Sequence, residues 1–458
     1  MDERLIIRGG QIINDDQVFT GSIVIEDDTI THISNDASPD ATVSGCRVID
    51  ATGCIVMPGV IDEHVHFREP GLTEKADIDS ESQAAAAGGV TSYFDMPNTV
   101  PQTTTLEALQ EKQALAAQKS HVNYAFFFGA TNDNTLLFEQ LDPHTIPGIK
   151  LFMGSSTGNM LVDSDAALDT VFSTCSRLRL PIMAHCEDTA EISRNMEDAR
   201  QRYGDDPPLW LHPLIRSEEA CFNSTMKAYQ LAVTHQTQLH IAHVSTAEEI
   251  ELLPYVHPST FNIQRNVQRI TAEATVGHLC FSMVDYQELG TRIKVNPAIK
   301  SCRDMIALRQ ALNDGRIATI ATDHAPHLLS QKQGGCARAA SGMPIIQFAL
   351  PLMLGLVDEG VLTLSRLVQL MCHNPAQLFS MRQRGFLRPG YKADVTIVRR
   401  TDSPWTVTPD IILSRCGWSP LEGRQLQWRV EHTICNGHIV YTDGQVDTNY
   451  IAQPIDFK

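Results

Sequence analysis

The sequence predicts an α/β fold, a (β/α)8 TIM barrel with a small β-sandwich domain formed by both chain ends. Two observations lead to this prediction. Short β segments separated by Gly and Asp turns occupy the first fifty residues and return near the end of the chain. Between them, apolar strands alternate with longer helical stretches, and eight such strand–helix units are typical of a closed parallel barrel.

The terminal β segments are short and bounded by turn residues. They cover 5–8, 12–13, 22–25 and 29–33 at one end and 394–398 and 433–440 at the other, where Asn436-Gly437 is a hairpin signal. We therefore expect a β-sandwich made of residues 1–55 and 385–458, with the barrel inserted between them as residues 56–384.

The barrel elements follow from the alternation of apolar runs and helical periodicity. The predicted strands are 54–62, 89–96, 122–129, 148–153, 181–186, 238–244, either 260–264 or 292–295, and 317–323. The predicted helices include 105–119, 163–179, 217–235 and 303–314. The seventh strand is the one element with two candidate positions.

The composition excludes several classes of protein. A formal charge of −18 argues against nucleic acid as a partner, because nucleic acid requires a basic surface. No segment approaches the roughly 20 apolar residues that span a bilayer, and the first residues lack a signal-peptide pattern, so we expect a cytoplasmic protein without membrane contact. The 11 cysteines include no Cys-x-x-Cys pair, which argues against a disulfide framework.

The most informative segment is 62–71, Asp-Glu-His-Val-His-Phe-Arg-Glu-Pro-Gly, which follows an apolar run. A strand sends alternate side chains to opposite faces, so Asp62, His64 and His66 can converge on one side. Two imidazoles at the end of a buried strand are half of a metal site. Arg68, just beyond them, offers a planar guanidinium that can hold a carboxylate.

Further polar residues follow the other predicted strands. They lie at or near the strand ends that form the active-site face of a barrel, and they are Asn98, Lys150, His185, His243 and Asp323. Each alone has an ordinary structural interpretation, since a strand histidine is usually a core residue, an aspartate often caps a helix and a lysine can reach the surface. Their shared position favours a metal site instead.

Four imidazoles, one carboxylate and one lysine are too many ligands for a single tetrahedral zinc ion. They suit two divalent cations, provided that a group bridges them. A neutral buried Lys150 can take up carbon dioxide to form a carbamate, which is an anionic oxygen donor. With neutral histidines, two such cations together with the carbamate, the Asp323 carboxylate and a bridging hydroxide would leave the site with a charge of about +1, which suits an anionic substrate.

These motifs resemble the amidohydrolase superfamily and, within it, the cyclic-amide hydrolases: dihydroorotase, allantoinase and dihydropyrimidinase. The resemblance covers essentially the whole chain. It implies that His64 and His66 bind one metal together with Asp323, and that carboxylated Lys150 bridges to a second metal held by His185 and His243. Histidine-rich sites accept zinc, cobalt or manganese, and we expect the two cations to be zinc.

Two segments are similar to the signatures of the dihydroorotase family. The first is 62–71, and the second is 321–327, Ala-Thr-Asp-His-Ala-Pro-His, with Lys332 five residues further on. The resemblance implies that Arg68, Asn98 and His327 hold a ring carboxylate and that Asn296, in Asn-Pro-Ala, contacts the pyrimidine ring. Allantoinase-like sequences resemble this stretch but tend to lack the arginine.

The implied reaction is the reversible cyclisation of N-carbamoyl-L-aspartate to L-dihydroorotate in de novo pyrimidine (UMP) biosynthesis. A metal-activated hydroxide would attack the ring amide, with Asp323 as proton shuttle. The substrate is thus a small molecule, and a homodimer is the expected assembly. Two alternatives stay open: an allantoinase or hydantoinase/dihydropyrimidinase, and a non-catalytic scaffold, which would be expected to lose metal ligands.

Overall fold

The computed structural model describes residues 4–35, 46–154, 160–254 and 270–458. Its strands are β1 (Arg4–Asn14), β2 (Gln17–Glu26), β3 (Thr29–Ser34), β4 (Cys46–Asp50), β5 (Cys54–Pro58), β6 (Val60–Val65), β7 (Val90–Asp95), β8 (Asn123–Phe126), β9 (Phe128–Gly129), β10 (Ile149–Phe152), β11 (Ile182–His185), β12 (Leu239–Ile241), β13 (Ile270–Thr275), β14 (Thr319–Ala321), β15 (Val395–Thr406), β16 (Gln425–Cys435), β17 (His438–Thr442) and β18 (Gln445–Val446).

Its α-helices are α1 (Ile78–Ala87), α2 (Leu106–Lys119), α3 (Asp165–Leu178), α4 (Thr189–Tyr203), α5 (His212–Ile215), α6 (Glu218–His235), α7 (Ala247–Leu252), α8 (Val276–Cys280), α9 (Tyr286–Leu289), α10 (Cys302–Asp314), α11 (Ile346–Asp358), α12 (Leu364–Val368) and α13 (Asn374–Leu378). The four helices predicted from periodicity correspond to α2, α3, α6 and α10. Each begins after a Ser or Thr whose hydroxyl accepts a backbone N–H of the first turn. None of the described helices is both long and apolar enough to cross a membrane.

The two chain ends build one sheet, as predicted. Its strand order is β18-β17-β16-β15-β5-β1-β2-β3, with β4 also paired to β1. Strand β5 pairs with β1 on one side and β15 on the other, so it joins the N-terminal and C-terminal parts. The predicted hairpin at Asn436-Gly437 connects β16 and β17. Gly437 has φ +79° and packs against the Asp27 carbonyl, which leaves no room for a side chain.

The central strands form the predicted parallel barrel. One sheet contains β6, β7 and β8, and a second contains β9 to β14 in chain order. The two are joined because β8 and β9 are parts of one strand interrupted at Phe127, whose N–H donates to the Asp95 carbonyl over 3.2 Å. At the other seam Val65 pairs with His324 in a parallel bridge, which closes the barrel.

Two strand predictions are wrong in detail. The predicted strand 54–62 is two strands, because β5 belongs to the terminal sheet and β6 to the barrel, with Gly59 between them. A Cβ at Gly59 would lie 2.1 Å from the Thr91 hydroxyl oxygen, so only glycine fits at this change of sheet.

The seventh barrel strand is β13, which matches neither candidate position. Candidate 260–264 lies outside the described residues, and 292–295 overlaps the 3-10 turn Gly290–Ile293. Strand β13 was missed because it carries polar side chains inside the barrel: Thr271 contacts His240, and Glu273 contacts His64. A search for apolar runs does not find such a strand.

A buried polar network connects the terminal sheet to the barrel. The Arg384 guanidinium donates to Asp394, which also accepts the Asn436 backbone N–H at 2.9 Å and an amide N–H of Asn123 in β8. Both partners of the ion pair are only 4% exposed. A buried pair of this kind is strongly destabilised when one member is removed, because the other charge is left unpaired.

We therefore expect Arg384→Met to lower the free energy of unfolding by about 3–5 kcal/mol, since Asp394 would remain buried and charged. Chemical denaturation followed by tryptophan fluorescence measures this loss. The matched control is Arg382→Met, which breaks the half-exposed pair with Asp456 and should change stability little. Equal effects of the two substitutions would contradict the interpretation.

Candidate active site

The predicted metal-binding side chains gather at one end of the barrel. His64 and His185 lie at the ends of β6 and β11, Lys150 lies in β10, and His66, His243 and Asp323 follow β6, β12 and β14 by one or two residues. All except His66 and Asp323 are less than 4% exposed. These are the carboxyl ends of parallel strands, where a barrel places its active site.

The backbone is unusual where the chain leaves these strands. Arg68, His243 and Asp323 have φ values of 70°, 37° and 50°, in the left-handed region that non-glycine residues rarely adopt. Such conformations cost about 1–3 kcal/mol each and persist where surrounding contacts impose them. Their grouping around one cavity supports a functional site.

The donor atoms fall into two groups. Asp323 Oδ1 lies 3.1 Å from His66 Nε2 and 3.5 Å from His64 Nε2. His185 Nδ1 lies 2.9 Å from His243 Nε2. The groups adjoin, because the rings of His64 and His243 are 5.3 Å apart and Lys150 Nζ lies 3.4 Å from His64 Nε2.

Three of the four imidazoles are held at the ring nitrogen that faces away from the other donors. Glu273 Oε1 lies 2.5 Å from His64 Nδ1, Asn98 Oδ1 lies 2.8 Å from His66 Nδ1, and Glu187 Oε2 lies 2.9 Å from His185 Nε2. Such partners determine which imidazole nitrogen keeps its proton and leave the other lone pair free for a metal.

Glu187 and Glu273 are site residues that the sequence reasoning missed. Both are fully buried carboxylates with cationic or imidazole neighbours, and Glu187 is two residues beyond His185. The position of Glu187 just after a strand that ends in a predicted metal ligand could have indicated it, whereas Glu273 lies in the strand that was not predicted. Asp62, in contrast, does not join the donor groups. Its carboxylate accepts the Thr322 N–H at 3.1 Å and the Thr322 hydroxyl at 2.6 Å, which connects the first barrel strand to the last.

Glu63 lies beside Glu273 and His240, with their ligand atoms within 4.8 Å of one another. Burial raises the pKa of Glu63 well above its usual range, and the neighbouring Glu273 raises it further. Burial alone would also raise the pKa of Glu273, but His64 and His240 hold it below its ordinary value. The two neighbouring carboxyl groups thus have pKa values shifted in opposite directions, and Glu273 stays ionised beside His64.

Burial keeps three of the four imidazoles neutral. Burial lowers the pKa of His66 to about 4 and lowers the pKa of His185 and His243 as well. Burial also lowers the pKa of Lys150 to about 8. Burial alone would raise the pKa of Asp323, but the adjacent His64 and His66 hold it below its ordinary value. At pH 7 the site therefore offers neutral imidazoles at His66, His185 and His243, one carboxylate and an amine that is partly neutral.

This donor set fits divalent metal ions. When His185 donates its Nε2–H to Glu187, its Nδ1 carries a lone pair that points at His243 Nε2. The neutral His243 ring can likewise carry its lone pair on Nε2, which faces His185 Nδ1. A cation between the two rings would accept both lone pairs. His64, His66 and Asp323 likewise place ligand atoms within 4.8 Å of one another.

Another part of the cavity lining carries groups that can bind an anion. Arg68 is 4% exposed, donates its Nε–H to the Pro326 carbonyl over 3.0 Å and lies 3.1 Å from His327 Nε2. It forms no ion pair with any carboxylate in the described ranges. Burial lowers its pKa only to about 10, so it stays charged at pH 7. Asn296 also lines the cavity, and its buried Oδ1 has no hydrogen-bond partner.

Thus five of the six predicted metal ligands and three of the four predicted substrate residues, Arg68, Asn98 and Asn296, line one cavity, together with Phe152, Ala325, Ser341 and Gly342, which the sequence did not indicate. His327 is not part of the lining and contacts Arg68 from behind it. Lys150 lies behind the cavity wall, in contact with His64. Asn98 lines the cavity and its Oδ1 contacts His66 Nδ1, so this predicted substrate residue also holds a predicted metal ligand.

Comparisons with known proteins agree with this geometry. Residues 55–440 match the model of the amidohydrolase family. Curated relatives include dihydroorotases from Methanosarcina acetivorans (30% identical, covering 96% of this chain and 92% of that protein), Pyrococcus furiosus (31%, 96% and 94%) and Halobacterium salinarum (35%, 80% and 82%).

Solved structures with the same fold include the L-hydantoinase (dihydropyrimidinase) of Arthrobacter aurescens, with a TM-score of 0.89 and 28% identity over 97% of each chain. The dihydropyrimidinase of Brevibacillus agri has a TM-score of 0.88 and 22% identity over 98% of this chain and 97% of that one, and shows the fold alone. The chain belongs to the amidohydrolase family and, within it, is related over most of its length to dihydroorotases.

Proposed function

We propose that the protein is a dihydroorotase, which interconverts N-carbamoyl-L-aspartate and L-dihydroorotate. The observation that carries this proposal is the buried Arg68, which has no carboxylate partner in the described ranges and opens onto the cavity that the metal donors line. Dihydroorotate carries a ring carboxylate, whereas hydantoin and allantoin do not. A buried guanidinium beside an imidazole and an amide matches that carboxylate.

We infer that two divalent cations occupy the site, and zinc is the expected ion for a set rich in imidazole. His64, His66 and Asp323 would hold one, His185 and His243 the other, and a carbamate on Lys150 would bridge them. When bound, such a pair of cations polarises a carbonyl and lowers the pKa of water to near 7. The buried carboxylates Glu273 and Glu187 would orient His64 and His185 toward them.

The protein side chains then supply binding and proton transfer. Arg68, His327 and Asn296 would hold the carboxylate and the ring, so that the amide faces Asp323. In the hydrolytic direction Asp323 accepts a proton from the attacking water and returns it to the ring nitrogen as the C–N bond breaks. In the direction of synthesis the same carboxylate takes a proton from the ureido nitrogen as the C–N bond forms, and returns it to the carboxyl hydroxyl, which leaves as water when the C–O bond breaks. Because the pKa of Asp323 is lowered, the carboxylate is ionised at the start of the reaction in either direction, as a general base must be.

Substitution of Arg68 tests the substrate assignment. We expect Arg68→Met to lower kcat/KM for L-dihydroorotate about 30- to 1000-fold, because a charged hydrogen-bonding partner of the carboxylate is lost. Turnover of hydantoin, which has no carboxylate, should not fall. Steady-state kinetics on both substrates measure the difference, and the exposed Arg382→Met is the control. A similar fall on both rings would instead make Arg68 a structural residue and favour a hydantoinase.

Carboxylation of Lys150 has its own test. With a pKa of about 8, roughly a tenth of Lys150 is the neutral amine at pH 7, and this fraction grows as the pH rises toward 8. We expect metal loading of the stripped protein in carbon-13 bicarbonate to be several-fold faster at pH 8 than at pH 7, with a carbamate carbon resonance in the product. Lys150→Arg should show neither the resonance nor full metal content. A wild-type protein that binds two metals without the resonance would contradict the bridging carbamate.

The orientation of His64 by Glu273 gives a further prediction. Glu273→Gln removes the negative charge behind the imidazole, and metal affinity should fall about 10- to 100-fold. Competition with a fluorescent zinc chelator measures this affinity. The control is Glu139→Gln on the exposed surface, which should leave it unchanged. Unaltered metal affinity in Glu273→Gln would mean that Glu273 contributes only to packing inside the barrel and does not orient His64 for metal binding.

A further inference from the structure

Lys332 is a buried lysine with an unusual set of partners. Its ammonium donates to three backbone carbonyls, those of Lys294 at 3.1 Å, Ala340 at 2.8 Å and Gly342 at 2.7 Å. The residue is 1% exposed and forms no ion pair with a carboxylate in the described part of the chain. The ammonium lies 6.0 Å from the centre of the Trp418 ring.

Burying an ammonium without a counter-ion is costly, and an apolar side chain of the same length would avoid the cost. Burial lowers the pKa of Lys332 well below its ordinary value, with Lys294 and Arg68 as further causes. Three carbonyl acceptors saturate its three N–H donors, which offsets part of the penalty. A residue that breaks a local rule in this way is expected where function requires it.

The three carbonyls belong to two walls of the active-site cavity. Lys294 is two residues before Asn296, and residues 340 and 342 flank Ser341; Asn296, Ser341 and Gly342 all line the cavity. The two segments also meet directly, because the Gly342 N–H donates to the Lys294 carbonyl over 2.8 Å. Lys332 thus holds the segment of Asn296 against the segment of Ser341 and Gly342.

The contacts around Lys332 extend to His327. The Trp418 indole N–H donates to the His327 carbonyl over 2.7 Å, and Ser341 O lies 3.0 Å from His327 Nε2. Gly342 packs closely here, since a Cβ at this position would lie 2.5 Å from the Ala325 carbonyl. His327 is therefore held through its backbone by Trp418 and through its ring by the segment that Lys332 binds.

The segment 332–342 forms the loop between Lys332 and the cavity, and its outer part, 335–338, is fixed by contacts that do not involve Lys332. Asp206 accepts the backbone N–H groups of Gly335, Ala337 and Arg338 at 2.7–3.1 Å. Lys294 donates to the Cys336 carbonyl over 2.9 Å. Loss of Lys332 would therefore release the inner end of the loop, next to the cavity, while its outer end stays attached.

We infer that Lys332 is a positioning residue for the substrate carboxylate. It sets the relative placement of Asn296, Ser341 and His327 around Arg68. This inference rests on the proposed dihydroorotase function. It concerns substrate binding and leaves the metal ligands and Asp323 unaffected.

The test is Lys332→Met in the metal-loaded enzyme. We expect KM for L-dihydroorotate to rise about tenfold or more, kcat to change less than about threefold, and metal content to stay at the wild-type value. A parallel fall in kcat with unchanged KM, or no kinetic change, would overturn the inference. If the wild-type enzyme itself does not turn over dihydroorotate, the proposed function fails, and that result is distinct from an unchanged KM in the variant.

Arg366→Met is the matched control. Arg366 is also a buried cation that donates to backbone carbonyls, those of Leu312 and Ile317, but Ile317 precedes β14 at the opposite end of the barrel from the site. This variant should lose stability in a thermal melt without a change in KM. An equal rise in KM in both variants would show that general loosening of the fold, and no specific positioning, explains the effect.

A second variant covers the case in which Lys332→Met does not fold. Trp418→Phe keeps an aromatic ring beside Lys332 and removes the N–H that holds the His327 carbonyl. We expect a severalfold rise in KM with kcat retained. An unchanged KM in this variant would count against the inference in the same way.

Discussion

The site depends on the closure of the barrel between its first and last strands. The His66 N–H donates to the His324 carbonyl over 2.8 Å, and Asp62 receives both the N–H and the hydroxyl of Thr322. These bonds place His64 and His66, from one end of the barrel sequence, beside Asp323, from the other. A one-residue slip in this register would reverse the faces of the alternating side chains and separate the donors. The closing bonds are therefore a condition for the metal site as well as for the fold.

The second constraint is electrostatic. The protein carries a formal charge of −18, yet its cavity combines the neutral imidazoles of His66, His185 and His243 with the cation Arg68. Burial makes this possible, because it lowers the pKa values of the histidines and strengthens the field of each remaining charge. An anionic substrate is thus attracted locally despite the acidic surface. The same burial leaves Glu187 and Glu273 ionised only because Arg216, His185 and His64 lie against them.

Much of this arrangement could be predicted from the sequence, for a physical reason. Parallel strands in a barrel all end on one face, so polar residues at strand ends, such as His185 and Asp323, had to meet once the alternation was recognised. The terminal sheet could also be predicted, because its short strands are separated by turn residues and its hairpin carries Asn436-Gly437.

The rest could not be read from local pattern. Strand β13 has polar side chains that pair inside the barrel, and such pairing depends on residues far away in sequence. Glu273 and Lys332 look like surface residues until their partners, His64 in the first strand and the carbonyls of residues 294, 340 and 342, are known. The side chains that support the site act through tertiary contacts, and such contacts are the least predictable feature of a single sequence.

The most direct measurement of the central claim is turnover of L-dihydroorotate, hydantoin and allantoin by the purified protein before and after chelation, with metal content counted in the same samples. The account predicts hydrolysis of dihydroorotate alone, with two metal ions per chain, loss of activity on chelation and recovery when metal and bicarbonate are restored. Preference for an uncharged ring would contradict the role assigned to Arg68. A fully metal-loaded protein that hydrolyses none of the three would leave the fold intact and contradict the proposed function.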